Sequence, residues 1–293
     1  MHLSASPSST RSGSLMLLAP LASAVPGAFH GVDVDPGRHA HVLAGVQKLR
    51  GSVYLRDGAI TAAQLTSSGQ HVLASDDSSW HVVSIQPDGE IAACARFRTH
   101  QPQEAEPEAL GVWSSAIARS STWADRLRVV LANDLALARA RRVRYVEFGG
   151  WAVGEEFRRT AHAVNTAMST YALAESLGGF LGVTTATVKH CSSRIMRKLG
   201  GHSFEWGEDV VPSYFDEHYG CEMELLRFDS SLPSRKYGLQ VSQYIQTLQR
   251  LPVLCAGAGP GRAGAAGHGR RPAWAALAGR HVPCFAGGGL ATA

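Results

Sequence analysis

The residues best suited to chemistry lie between Tyr145 and Ala163. The stretch reads Tyr-Val-Glu-Phe-Gly-Gly-Trp-Ala-Val, then Gly-Glu-Glu-Phe, then Arg158-Arg159-Thr160-Ala161-His162-Ala163. Its first part alternates apolar and small residues as a buried strand does. Its last part opens a helix, with no Pro and no β-branched run. A strand, a turn of small residues and a helix N-terminus together make an anion site. The N–H groups of a first helical turn lack intrahelical acceptors, and the helix dipole adds positive potential there. The amides of Arg159, Thr160, Ala161, His162 and Ala163 are the expected phosphate donors, and Arg158 can add charge.

The rest of the chain must position that stretch. Its 293 residues suffice for one sizeable domain or two small ones. Hydrophobic residues make up 45% and charged residues 18%, as in a soluble globular protein. The five cysteines, Cys94, Cys191, Cys221, Cys255 and Cys284, form no Cys-x-x-Cys pair. They read as reduced thiols of a cytoplasmic protein without a zinc site. The formal charge of +4 belongs to the tail, where Arg262, Arg270, Arg271 and Arg280 meet no acid. Removing these four leaves 24 basic against 24 acidic residues. The body has no cationic surplus for nucleic acid, and no segment is long enough to span a bilayer.

Residues 1–50 are rich in Ser, Gly, Pro and His and show no sustained period, so a mostly unstructured leader is expected. Within it Arg11 precedes Leu15-Met16-Leu17-Leu18-Ala19-Pro20-Leu21 and then Ala22-Ser23-Ala24. Two readings stay open: a short secretory signal with an Ala-x-Ala cleavage site, or part of the unstructured leader. Ordered sequence is expected from about Val53, giving a folded domain over 51–255. The tail 256–293 has 22 Gly or Ala among 38 residues and no period, so it cannot build a core. A shifted reading frame of a GC-rich gene would give that composition.

Within the body, Trp80 to Ile85 and Ile91 to Arg98 read as a hairpin across Pro87-Asp88-Gly89. Trp123, Leu127, Val130, Leu131, Leu135 and Ala138 recur at helical steps, with Arg139, Arg141 and Arg142 in the last turn. A strand over 143–153 follows, then a second helix to about Leu177, stopped by Gly178-Gly179. Phe180 to Thr185 reads as a strand, Thr187 to Leu199 as a helix, Cys221 to Phe228 as a strand and Leu239 to Leu251 as a helix. This order is that of a mixed α/β sandwich.

The run Arg158-x-x-Ala161-x-Ala163 after a Val/Ala-rich strand resembles the coenzyme A pyrophosphate loop of the GNAT superfamily of N-acyltransferases. It departs from that pattern at Ala161, where the family has Gly, and at bulky Arg159. Glu147-x-Gly149-Gly150-Trp151-Ala152-Val153, with Pro212-Ser-Tyr-Phe-Asp216-x-x-Tyr219-Gly-Cys221 and the residues up to Ser230, is similar to the branch of acyl-homoserine lactone and N-acyl amino acid synthases. The resemblance covers about 53–255. It implies a GNAT-like mixed central sheet flanked by helices. It also implies an acyl donor, either acyl-CoA or acyl carrier protein, and a small-molecule amine or amino acid acceptor, with no metal. Two parallel strands that part would leave amides free for the pantetheine arm and the oxyanion, with Val153 N–H as candidate. Glu147 stands where the family often places its general base. A partly desolvated carboxylate there would have a raised pKa. The family's thiolate-protonating Tyr would fall at Met196, so Ser192, Ser193 or water would have to serve.

Other readings compete at several positions. Leu181-Gly-Val-Thr-Thr-Ala-Thr187-Val188-Lys189, with Ile195-Met-Arg-Lys198-Leu199-Gly200, is similar to the recognition half of LuxR-type helix-turn-helix regulators, which makes a DNA-binding regulator using 181–200 the alternative. The helix pair required by that reading would be broken by Gly178 and Gly179. Glu147 can instead pair with Arg144 or Arg98. Arg96 and Arg98 can bind a substrate carboxylate or simply solvate a sheet face. Trp80 reads as core and Trp151 as a candidate pocket wall. His162, His190 and His202 are not at metal-ligand spacing.

Overall fold

A computed structural model describes residues 13–232, 234 and 236–257. Its strands are β1 Ser14–Leu18, β2 Gly31–Val34, β3 Ser79–Ile85, β4 Ile91–His100, β5 Arg144–Val153 and β6 Phe180–Thr187, followed by β7 His202–Ser203, β8 Glu205–Trp206, β9 Asp209–Val210, β10 Tyr214–Asp216, β11 Cys221–Asp229 and β12 Pro252–Cys255. Its helices are α1 Pro36–Arg56, α2 Ala124–Arg141, α3 Ala161–Ser176, α4 Ser192–Lys198 and α5 Gly238–Leu248. Ten strands make one sheet in the order β10-β11-β6-β5-β4-β3-β1-β12-β2, with β7 also on β11, and β8 and β9 pair separately. β5 runs parallel to β6, and β12 parallel to β1 and β2; the other pairs are antiparallel. This is a mixed α/β sheet flanked by helices, the class that the order of elements predicts.

Alternation along each strand feeds two cores. Leu17, Val82, Phe97, Val146 and Phe180 face α3 and α5. Met16, Leu18, Val83 and Cys94 face α1 on the other side of the sheet. Tyr145, Leu181 and Val183 lie on that same side under α2. The hairpin β3–β4 and the helices α2 and α5 form where the periodicity places them.

The expected unstructured leader is corrected. From Ser14 onward it forms β1, β2 and most of α1, and a domain boundary at residue 51 would cut α1 in two. The apolar run Leu15–Leu18 is an interior strand between β3 and β12, with Leu17 and Leu18 fully buried. Composition concealed this because β1 is short and its partners lie more than sixty residues away. Helix α1 carries its own start signal: Asp35 caps it, accepting from the Arg38 amide at 2.9 Å, and Pro36 occupies its first turn. The Gly/Ala-rich tail lies outside the described residues beyond Gly257.

The helix-turn-helix alternative is corrected too. Leu181–Thr187 is extended in β6, held between β5 and β11, and the helix expected from Thr187 shortens to α4. Val183, Thr184, Thr185 and Thr187 are β-branched and suit a strand. Gly178 and Gly179, at φ +114° and +82°, end α3 in a conformation open to glycine.

Substituting Leu17 with Ala is expected to cost about 2–5 kcal/mol in urea unfolding, as for a buried leucine. An unchanged midpoint would place β1 outside the cooperative fold.

Candidate active site

The sheet has one internal fork. β5 and β6 pair over only four residues each, Arg144–Glu147 against Phe180–Val183. Beyond Glu147, β5 continues against β4 alone, and beyond Val183, β6 continues against β11 alone. At the first step past the fork the Thr184 hydroxyl donates to Phe148 O at 3.0 Å. A bulge in the β4–β5 pairing between Cys94 and Arg96 accompanies the divergence. Gly150 makes the bulge possible. Its φ is +61°, and a Cβ there would stand 2.8 Å from Arg96 Cγ.

Gly154 N–H donates to Ala92 O at 2.9 Å, and Val153 pairs with Ala93. In an extended chain the preceding amide points to the opposite edge, so Val153 N–H is directed away from β4, toward the side that β6 has left. Val153 nevertheless lies two residues past Trp151, where the cleft wall formed by β5 ends.

Two cavities meet in the gap. One is mostly apolar, with Phe148, Trp151, Tyr171, Met196, Leu199 and Phe228 in its wall. The other is polar and includes Arg96, Arg98, Arg119, Glu147 and Asp216. Tyr54, Arg96, Gly149, Gly150, Thr185 and Tyr219 line both.

Glu147, the last β5 residue before the fork, sits in the polar cavity. His100 Nε2 lies 2.7 Å from its Oε2, and the Val112 amide donates to Oε1 at 3.0 Å. Burial pushes this carboxyl up. The hydrogen bond with His100, with help from the Gly111 and Val112 amides, outweighs that and holds it below the ordinary glutamate value. The expected raised pKa is therefore corrected: Glu147 is an ionised acceptor. It bonds neither Arg144 nor Arg98, although Arg98 is directly opposite it in register. Among the described residues, Arg98 and Arg119 pair with no acid.

Arg96 brings a partly buried positive charge to the junction of the two cavities. Fully buried Arg50 takes both oxygens of Asp76, at 2.9 and 2.6 Å. Arg96 reaches that carboxylate only at 3.9 Å, from Nε, and donates through Nη1 to Ser79 Oγ at 3.2 Å. Two guanidiniums against one carboxylate leave one net positive charge, because arginine stays protonated. Burial followed by repulsion from Arg50 pulls the Arg96 pKa down. Neighbouring His81 adds no charge: burial lowers its pKa to about 4.

The loop and helix start expected at Arg158–Ala163 are present, and Arg158 pairs with an acid. Thr160 caps α3 and accepts from the His162 amide. Arg158 is already engaged by Asp57, through Nη2 at 2.9 and 2.7 Å. Arg159 is exposed, at φ +63°. The His162 ring turns to Ser84 Oγ, 2.8 Å away, and away from the cleft. Ala161 and Ala163 belong to the first turn, and no residue from 158 to 163 lines either cavity. Ser192 is in the apolar wall, bonded by the Thr187 hydroxyl at 3.2 Å. Ser193 turns out of the cleft to bond Glu224. Met196 does face the cleft, and Trp80 is core, stacked on Phe29.

Sequence reasoning missed Tyr54, His100 and Arg119 as site residues. Tyr54 lies at the expected onset of order, His100 and Arg119 lie between the hairpin and α2, and only packing brings them to the fork. Among the described residues no cluster of three His, Cys, Asp or Glu is arranged to hold a metal ion, and the four cysteines are free. No helix among them is long and apolar enough to cross a membrane.

No family model and no curated protein matches the chain. Among solved structures it is similar to a CoA-dependent acyl-homoserine lactone synthase, at 10% identity and TM-score 0.48, covering 84% of this chain and 94% of that one. It is similar to an N-acyl amino acid synthase from uncultured soil microbes, at 13% identity and TM-score 0.40, covering 68% and 88%. It is also similar to an agmatine N-acetyltransferase, at 13% and 0.42, covering 65% and 95%.

Because the Glu147 pKa is depressed in the fold, its stabilisation is present above the unfolded glutamate value near 4.3 and is lost as pH falls through the folded value. Glu147→Gln is expected to cost about 1–3 kcal/mol at pH 7, the scale of hydrogen bonds to a charged group, and progressively less below about pH 4. Denaturant unfolding across pH measures this; a difference that does not change with pH would contradict it.

Proposed function

We propose that this chain is a cytoplasmic GNAT-type N-acyltransferase. It moves an acyl group from acyl-CoA or acyl carrier protein to a primary amine, an amino acid or similar molecule, by direct attack in a ternary complex. The observation that supports this best is the fork, with an apolar and a polar cavity meeting where β5 and β6 part. Such a gap can hold an extended thioester arm between two strand edges. The acyl chain lies in the apolar cavity, and the acceptor enters through the polar one.

The chemistry follows from the groups at the junction. Amides on the open edge of β5, Trp151 and Val153 among them, polarise the thioester carbonyl and receive the oxyanion. The polar cavity sets three guanidiniums, Arg96, Arg98 and Arg119, against two carboxylates, Glu147 and Asp216. That excess disfavours a further cation, which lowers the pKa of a bound amine, and favours an acceptor that carries a carboxylate. The amine attacks as the neutral base. Its nitrogen becomes more acidic as it bonds the acyl carbon, so an ionised carboxylate such as Glu147 can take its proton despite a depressed pKa. The amides of the loop and first turn at the start of α3, Arg159, Thr160, Ala161 and Ala163 with the capped His162 between them, hold the carrier's phosphates, while Arg158 fixes the loop through Asp57.

The reading is tested by thiol release from short- and long-chain acyl-CoA across an amine panel. Glu147→Gln is expected to lower kcat/KM by about 10²–10⁴-fold, the scale of a lost general base. Equal rates would remove Glu147 from the chemistry, and no thiol release with any pair would overturn the reading. Arg98→Ala and Arg119→Ala are expected to raise KM for amino acids while leaving KM for the matching decarboxylated amines unchanged. Equal effects on both acceptors would refute carboxylate recognition.

A further inference from the structure

The vertex of the fork is plugged by four aromatic rings. Phe148 is the first β5 residue past the last parallel pair, Glu147 with Val183. Its ring lies 5.3 Å from Phe180 and 5.3 Å from Phe228, centroid to centroid. Tyr171 of α3 completes the set, at 5.0 Å from Phe180 and 6.1 Å from Phe228. All four contacts are edge-to-face, the arrangement in which ring quadrupoles attract. Gly182 makes room for them. It pairs with Val146 on one side and Phe228 on the other, and a Cβ there would stand 3.2 Å from Phe148 Cε2 and 3.3 Å from Phe180 Cδ2.

Phe148, Tyr171 and Phe228 wall the apolar cavity at this vertex. Its opposite end reaches Asp57, the partner of Arg158, and His190. Tyr171, Phe180 and Phe228 are buried, so the plug cannot fold aside without opening the close-packed core. The wall also asks for nothing polar from two of its hydroxyls. Thr170 donates to Thr166 O at 2.8 Å and Thr184 to Phe148 O at 3.0 Å.

The apolar cavity measures about 160 Å³, against about 560 Å³ for the polar one. A dry cavity of about 150 Å³ holds one benzene ring. A long alkyl chain therefore has no room on the apolar side. It gains nothing by turning into the polar cavity, where it would strip water from Arg98, Arg119, Glu147 and Asp216.

We propose that the plug restricts the transferred acyl group to about six carbons or a single ring, an inference that rests on the acyltransferase reading above. Phe148 is the specificity-determining residue. Among the four rings it alone lines both cavities, and it follows Glu147 directly on β5. In the transfer the acyl carbon exchanges its bond to sulfur for one to nitrogen, and the proton lost by the amine ends on the released thiol. The plug touches the acyl group alone, so it selects the donor without altering that chemistry.

The test is thiol release by the full chain from acetyl-, butyryl-, hexanoyl-, benzoyl- and decanoyl-CoA, with the best acceptor of the amine panel. For wild type, kcat/KM is expected to rise about fourfold per added methylene as far as hexanoyl, the gain of burying each one. Benzoyl is expected within about tenfold of hexanoyl, and decanoyl at least about tenfold below it. A profile that is flat, or that keeps rising to decanoyl, overturns the inference. Phe148→Ala opens the vertex and is expected to move the optimum from hexanoyl to decanoyl; an optimum that stays at hexanoyl overturns the role of Phe148. Phe148→Leu, which keeps an apolar side chain in the core, is expected to raise decanoyl relative to hexanoyl even if Phe148→Ala does not fold, and an unchanged ratio counts against the plug. Wild type that turns over decanoyl-CoA best sinks this inference alone. Wild type that releases no thiol from any donor sinks the acyltransferase reading with it.

Discussion

The structure depends on a hydrogen-bond ladder that stops. Parallel pairing of β5 with β6 ends at Glu147 and Val183, yet both strands stay ordered because each keeps its other neighbour. An amide in a sheet interior normally has a partner strand, and losing one is tolerable only where something else binds it. The fork is therefore a structural cost and, in the proposed reading, a binding surface. Gly150 lets the β4–β5 pairing bulge without a clash against Arg96, so the divergence is written into the backbone rather than imposed by a ligand.

Charge follows from the same geometry. The side of the sheet that carries Arg96, Arg98 and Glu147 also faces α1, whose Arg50 has claimed Asp76. Arg96 is left partly compensated beside the gap. A partly buried guanidinium with an imperfect partner is unfavourable in isolation and becomes useful where negative charge arrives or develops. Glu147 sits in the same cavity with its charge secured by His100 and Val112. The polar cavity thus distinguishes a cationic wall from an anionic acceptor within one pocket, while the opposite cavity stays apolar.

The N-terminal segment ties these parts together. β1 extends the sheet beyond β3, α1 covers the face beside the fork, and Arg50 and Asp57 of that region hold Asp76 and Arg158. A segment that looks dispensable by composition sets the electrostatics of the cleft and the conformation of the loop before α3.

Local sequence determined what local physics controls. The hairpin at Pro87-Asp88-Gly89, the amphipathic α2, the strand–loop–helix from Tyr145 to Ala163 and the glycine stop before Phe180 all follow from turn chemistry, periodicity and caps acting within a few residues. Glu147, Ser192 and Met196 are placed at the cleft by the family resemblance and not by these local rules. Tertiary structure alone decided the rest. Leu15–Leu18 is a strand because β3 and β12 flank it, and Thr187 to Cys191 is not helical because β6 runs on beside β11. The Glu147 pKa falls rather than rises because His100, 47 residues away in the chain, reaches its carboxylate. Burial is legible from residue type, but the identity of a buried group's partner is a long-range fact, and the sign of a pKa shift turns on that partner.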